Sequence, residues 1–438
     1  MSSGFILVAM FLGLVGLMLT GLPLAFVLGG TSLFFTAVFW NPGAIVITVI
    51  QIFDTMRSEA LLAIPLYILM ACLLQRSGVI EALYRAMELW FSRLAGGLAV
   101  GTVVICTIMA AMTGVVGAAV TSMGILALPS MLRRGYDREM SIGTICAAGT
   151  LGILIPPSVV TIVYAVTAQI SIGQMLIAGL VPGLILAGLY IAYIVTRSML
   201  DPSLAPVGAD ARTAPLKVRI AALGALIIPS AIIVAVLGSM YFGIATPTEA
   251  AAVGAAGAAA SAALQRRLTF AVLRDAALDT LKATAMVLWI TIGAKAFVAI
   301  FTGLGGADFM LDFIRGWDAA PWLILAAMLA TLIFLGCFLD EIGIILLTVP
   351  VFLPIVKFLG FDPLWFGVLF LVTAQMAYLT PPFGYTLFYI KGTLPPDIGM
   401  DTVYRAVVPF FFLQLAGLLI CAFFPDLVTW LPRSMIAR

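Results

Sequence analysis

The chain has 438 residues, 63% of them hydrophobic and 10% charged, with a mean hydropathy of +1.20. Soluble globular domains run at about 45–50% apolar and about 25% charged, so this is a polytopic membrane protein. Its formal charge of +2 leaves no broad basic surface for a nucleic-acid backbone, and the absence of histidine removes Ser-His-Asp catalysis, H-E-x-x-H zinc sites and histidine proton relays together.

The first apolar run, residues 4–20, has no basic n-region and leads straight into a second, 23–40, which predicts a membrane helix and not a cleaved signal peptide. Residues 60–75 and 175–196 also approach the roughly 20 apolar residues that a span needs. The stretch 43–56 is too short and ends in Asp54 and Arg57. Its counterpart 268–282 contains Arg274, Asp275, Asp279 and Lys282, and both predict amphipathic helices lying along the interface.

Segment 98–132 is apolar but interrupted by Thr113-Gly114-Val115-Val116-Gly117, with Arg76, Arg85 and Arg93 before it and Arg133, Arg134 and Arg138 after it. Basic residues at both ends put both ends on the cytoplasmic side, which predicts a re-entrant hairpin. The crossing 139–170 is broken at Ile155-Pro156-Pro157-Ser158, because proline lacks an amide donor and clashes with the preceding turn. A polar stretch, 201–217, then reads as a linker between residues 1–200 and 218–438.

The second half repeats the punctuation of the first at an offset of 225: Pro129 falls on Pro354, Pro156-Pro157 on Pro381-Pro382, Thr161 on Thr386 and Tyr164 on Tyr389. Spans within 220–264 are therefore followed by a hairpin at 320–356, turning around Phe338-Leu339-Asp340-Glu341, and a broken crossing at 364–391, interrupted at Thr380-Pro381-Pro382-Phe383-Gly384. Each half has five crossings, an odd number, so the predicted fold is an all-α membrane protein of two inverted repeats, each with one re-entrant hairpin and one broken helix. With both termini periplasmic, sixteen Lys and Arg fall on the cytoplasmic side against five outside, with Lys295 inside a span.

Irregular backbone at membrane depth is tolerated where it is buried in protein or lines a polar cavity. Half-helix N-termini offer NH groups to an anion, and carbonyl ends offer oxygens to a cation such as sodium. A lone Pro-Pro is commonly a kink and a Thr-Gly tip commonly close packing, but both recur here at matching positions. Asp340 and Glu341, ionisable at a hairpin tip, point to function or to a water-facing tip. Lys295 either snorkels or pairs with a carboxylate, and Glu249, after Thr246-Pro247-Thr248, reads as a helix cap. Cys72, Cys106, Cys146, Cys337 and Cys421 lie in apolar stretches and read as small buried hydrophobes. No GxxxxGKS or GxxxxGKT sequence supports P-loop ATP hydrolysis.

At GIATPTEAAAVGA (243–255), AIPLYILMA (63–71), GTLGILIPPS (149–158), SIGQMLIAGLVPG (171–183), GCFLD (336–340) and LTPPFG (379–384), the sequence resembles the large membrane subunit of tripartite ATP-independent periplasmic (TRAP) transporters, the DctM family. The resemblance implies an elevator-type, sodium-coupled importer of a small organic acid in a bacterial inner membrane. It also implies two partners, a separate four-helix DctQ-like membrane subunit and a periplasmic DctP-like binding protein. It further implies a first sodium site of Thr113, Gly114, Val116, Gly152, Ile155 and Pro156, and a second of Gly336, Ala377, Thr380 and Phe383. Substrate would lie near Thr113, Ser158, Asp340 and Thr380. Many family members have a Ser-Gly-Ser-Ser tip where this chain reads Thr113-Gly114-Val115-Val116, so two side-chain oxygens are missing from the first site. The rival readings are a stand-alone inverted-repeat anion transporter, proton-coupled through Asp340, then a membrane-embedded enzyme, and then a pure scaffold subunit.

Overall fold

The computed structural model describes residues 3–91, 94–206, 215–316, 319–382 and 384–435. All regular structure among these residues is helical, and seven helical segments are long and apolar enough to cross a membrane. Residues 207–214 of the expected linker lie outside the described residues.

The chain opens with α1 (Ser3–Leu19), α2 (Leu24–Phe35), α3 (Ile45–Met56), α4 (Ala63–Arg76) and α5 (Val79–Phe91). Pro23 stands at the N-cap of α2, where its missing amide costs nothing. Helix α3 exposes Val46, Val49, Ile50 and Phe53 while burying Thr48 and Thr55, so its apolar stripe faces away from the protein, as in a helix lying along a lipid interface. Helix α5 buries Val79, Ile80, Leu83 and Met87 along one face. It is anchored by Glu88, which accepts from the Arg134 guanidinium at 2.5 Å.

Next come α6 (Gly97–Thr113) and α7 (Val116–Arg133), which turn at Gly114-Val115 and pack against each other. Helices α8 (Arg138–Thr150) and α9 (Val159–Ala168) are separated by a 3-10 turn at Leu151–Ile153 and the irregular residues 154–158, and α10 (Ile172–Ala178) and α11 (Leu180–Leu200) close the half. Asp137 caps α8 by accepting from the Met140 amide at 2.8 Å, and its carboxylate suits the positive end of the helix dipole.

The second half contains α12 (Leu216–Ala222), α13 (Ile227–Tyr241), α14 (Pro247–Leu264) and α15 (Phe270–Gly303). Helix α14 begins with a capping box: Glu249 receives the Thr246 amide at 2.8 Å, and Thr246 Oγ1 receives the Glu249 amide at 3.3 Å. The capping role read for Glu249 is therefore present, at the third helical position. The alanine-rich α14 packs closely on α4, and the Tyr67 hydroxyl donates to the Pro247 carbonyl at 3.2 Å.

Residues 268–282 differ from the expectation of a separate interfacial helix. They run without a break into the following span as α15, 34 residues long, about 51 Å at 1.5 Å per residue. No proline interrupts residues 270–303, so the charged first part and the apolar second part form one rod that overshoots the hydrocarbon. Arg76 at the end of α4 bonds to Asp279 on that first part.

A short amphipathic α16 (Gly306–Arg315) leads to α17 (Pro321–Gly336) and α18 (Glu341–Phe358), which turn at residues 337–340. Helices α19 (Pro363–Tyr378) and α20 (Tyr385–Lys391) flank the second break, and α21 (Met400–Phe423) and α22 (Pro425–Arg433) complete the fold. Asp362 repeats the capping device of Asp137, accepting from the Leu364 amide at 2.7 Å. The packing exchanges partners between halves: α7 lies on α20, and α18 lies on α9.

Candidate functional site

The first hairpin tip rests on the first break. Gly114 adopts φ +58°, a left-handed conformation that glycine takes without the clash a side chain would meet. A Cβ there would lie 2.2 Å from the Pro157 carbonyl oxygen, so the tip backbone touches the break backbone directly. Gly152 approaches the same turn, its Cβ direction meeting the Val115 amide at 3.5 Å. The structure thus gathers Thr113, Gly114, Val116, Gly152, Ile155 and Pro156 in one buried place.

Within that place the side chains are occupied locally. The Thr113 hydroxyl donates to the Met109 carbonyl at 2.9 Å. Ser158 is fully buried and caps α9, accepting from the Thr161 amide at 3.3 Å. Thr161 in turn donates from its hydroxyl to the Ile153 carbonyl at 3.1 Å, taking up an oxygen that the break frees. These bonds use the Thr113 and Thr161 hydrogens and leave hydroxyl lone pairs and backbone carbonyls as the oxygen acceptors at this tip.

The second tip also reaches the second break, through different atoms. Gly336, ending α17, is so close to α19 that a Cβ would sit 2.1 Å from that of Ala377. The Cys337 thiol donates to the Pro381 carbonyl at 3.6 Å, joining tip to break. Thr380 donates to the Met376 carbonyl at 2.8 Å, and Thr386 donates to the Tyr378 carbonyl at 2.7 Å. The last bond spans eight residues, as the Thr161 bond does. Gly336, Ala377 and Thr380 are brought together, while Phe383 lies outside the described residues. Among the described residues no group of three or more Cys, Asp and Glu forms a metal-ligating cluster.

Asp340 and Glu341 line a cavity of about 600 Å³ with Pro23, Trp289, Tyr378, Tyr385 and Tyr389. The Tyr378 and Tyr385 rings are 5.2 Å apart. Tyr389 also closes on the first hairpin, since a Cβ on Gly117 would meet its ring at 2.8 Å. Of the four residues placed near substrate, Asp340 lines this cavity. Thr113, Ser158 and Thr380 are not among its walls, and the first two are buried behind the tip-to-break contact. The tyrosine trio was not singled out in the sequence, although Tyr385 and Tyr389 follow the LTPPFG stretch by one and five residues.

Two hairpins, each seated on the break of an interrupted helix in a multi-pass helical frame, define a membrane transporter. The fold is shared with the YdaH transporter of Alcanivorax borkumensis, whose crystal structure superposes with a TM-score of 0.62 at 15% identity over 89% of each chain. Residues 11–427 match the family described as Tripartite ATP-independent periplasmic transporter, DctM component. The chain is 33% identical over 407 residues to the C4-dicarboxylate TRAP transporter large permease protein DctM of Pseudomonas aeruginosa, covering 92% of this chain and 93% of that protein. It is 32% identical to the protein of the same description from Vibrio cholerae, covering 98% and 97%. The chain belongs to the DctM family, the large permease component of tripartite membrane transporters, a family of transporters and not of enzymes.

Proposed function

We propose that this permease imports a small organic acid across a bacterial inner membrane, coupled to sodium, with a separate small membrane subunit and a periplasmic binding protein. Its halves act as inverted repeats with both termini periplasmic. A moving domain built from α6–α9 and α17–α20 shifts against a frame of α1–α4 and α13–α15. The observation that carries this reading is the doubled tip-on-break contact, Gly114 against the Pro157 carbonyl and Cys337 against the Pro381 carbonyl. Two such junctions of carbonyl-rich backbone supply two equivalent cation positions, Thr113, Gly114, Val116, Gly152, Ile155 and Pro156 at one and Gly336, Ala377, Thr380 and Phe383 at the other. The C4-dicarboxylate named for the two relatives supports a carboxylate cargo, with the cavity beside Asp340 as its inner chamber.

The test is thermal unfolding of the permease with its small subunit in NaCl and in KCl at equal ionic strength. A ligand that binds only the folded state raises Tm by mass action. Stabilisation by sodium that Thr380→Ala weakens supports this assignment. Equal Tm in the two salts rejects sodium and favours the second reading, proton coupling through Asp340, which the Asp340-Glu341 pair in the cavity supports.

A further inference from the structure

A second chamber, of about 550 Å³, lies between α3 and α15 on one side and α9 and α18 on the other. Its polar lining includes Gln51, Asp54, Gln169, Thr291, Lys295 and Lys357. The two chambers share their walls. Helix α15 contributes Trp289 and Ile290 to the one holding Asp340, and Thr291, Lys295 and Thr302 to this one. Helix α18 contributes Glu341 and Ile342 to the first, and Leu346 through Lys357 to the second. The chambers therefore follow one another along a single α15–α18 seam. Under the charge-derived topology this second chamber faces the periplasm.

Inside it, the Lys295 ammonium donates to the Asp54 carboxylate at 3.0 Å. The partners differ in setting: the Lys295 side chain is 26% exposed and that of Asp54 is 68% exposed. Lys295 sits well inside a membrane helix, where an ammonium needs an anionic neighbour. The neighbour it has comes from a short peripheral helix and is largely exposed, so the pair is weak and readily exchanged. Lys357 brings a second ammonium to the same walls, and Gln51 and Gln169 bring neutral amide donors. Two cations against one carboxylate leave the chamber net positive.

We propose that this chamber is a waiting site for the organic anion, in which a carboxylate of the cargo displaces Asp54 from Lys295. The inference rests on the transport reading above and assigns Lys295 a place in it.

Two readouts test the proposal on the complete transporter, with succinate as the probe. The first is acylation of lysines by a water-soluble amine reagent, followed by mass spectrometry. Succinate is expected to slow labelling of Lys295 several-fold and leave Lys282 unchanged. Asp54→Asn is expected to let a lower succinate concentration protect, by about fivefold. Lys295 labelling indifferent to succinate overturns the proposal. The second is uptake into vesicles. Lys295→Gln is expected to raise KM about tenfold with kcat little changed, while Lys295→Arg stays near wild type and Asp54→Asn shifts KM downward. A purely structural ion pair predicts instead that Lys295→Gln and Asp54→Asn fail alike and that the charge-swapped double variant recovers, and that result would overturn the waiting site. Protection of Lys295 in protein that moves no succinate would count against the transport reading and leave the anion site standing.

Discussion

The hydroxyl of Thr150 lies 3.5 Å from the side-chain oxygen of Gln375, 225 residues further along the chain. Thr150 ends the helix before the first break, and Gln375 sits one turn from the end of the helix before the second. Gln414 donates its amide to the same hydroxyl at 3.0 Å, and all three side chains are fully buried. The two interrupted helices therefore touch through a polar pair just before each gives way to irregular backbone.

This cluster sets the first prediction. Removing a hydroxyl from a dry site leaves its donor neighbour unpaired, at a cost of about 1–3 kcal/mol. Thr150→Val strands the Gln414 amide and is expected to lower stability by that amount, whereas Thr150→Ser keeps the bond and most of the stability. Thermal unfolding of the purified protein in detergent measures the difference. Equal loss in both variants would show that volume, and not the hydroxyl, matters there.

The first hairpin tip gives the second prediction. Gly114→Ala meets two penalties, the left-handed backbone, about 1–2 kcal/mol for a residue with a side chain, and a Cβ 2.2 Å from the Pro157 oxygen. The tip must lift off the break. Uptake is expected to drop at least tenfold and stabilisation by sodium to shrink, both measurable against wild type in the same preparation.

At the second tip the close approach of Gly336 to Ala377 permits a compensation experiment. Gly336→Ala overpacks the contact and is expected to cost about 1–3 kcal/mol. Adding Ala377→Gly returns the missing space, so the double variant is expected to recover part of the loss in Tm. Additive damage in the double variant would mean that the two helices do not meet at these atoms.

Thr161 and Thr386 close their respective breaks by donating to carbonyls eight residues earlier. Each valine variant leaves a buried carbonyl without that donor and is expected to lose about 1–2 kcal/mol, with serine keeping most of it. The two losses are expected to be similar. A sodium titration of Tm would show whether each substitution also weakens the cation response.

Helix ends and breaks were legible in the sequence because their causes are local. Pro156-Pro157 and Pro381-Pro382 interrupt their helices, and Gly114 makes the tight turn between α6 and α7, whereas the capping by Asp137 and Asp362 appeared only in the structure. Composition alone established the membrane class, since so few charges cannot solvate so much apolar surface. The continuity of α15 was not legible, because an amphipathic segment has the same pattern whether it stops or runs on. Only the tertiary structure decided which surfaces meet: Tyr389 on Gly117, Gly336 on Ala377, and Asp54 with Lys295, 241 residues away. Those pairings depend on complementary shape and charge between helices far apart in the chain. Helical periodicity shows which face of a helix is apolar, and close packing selects the partner.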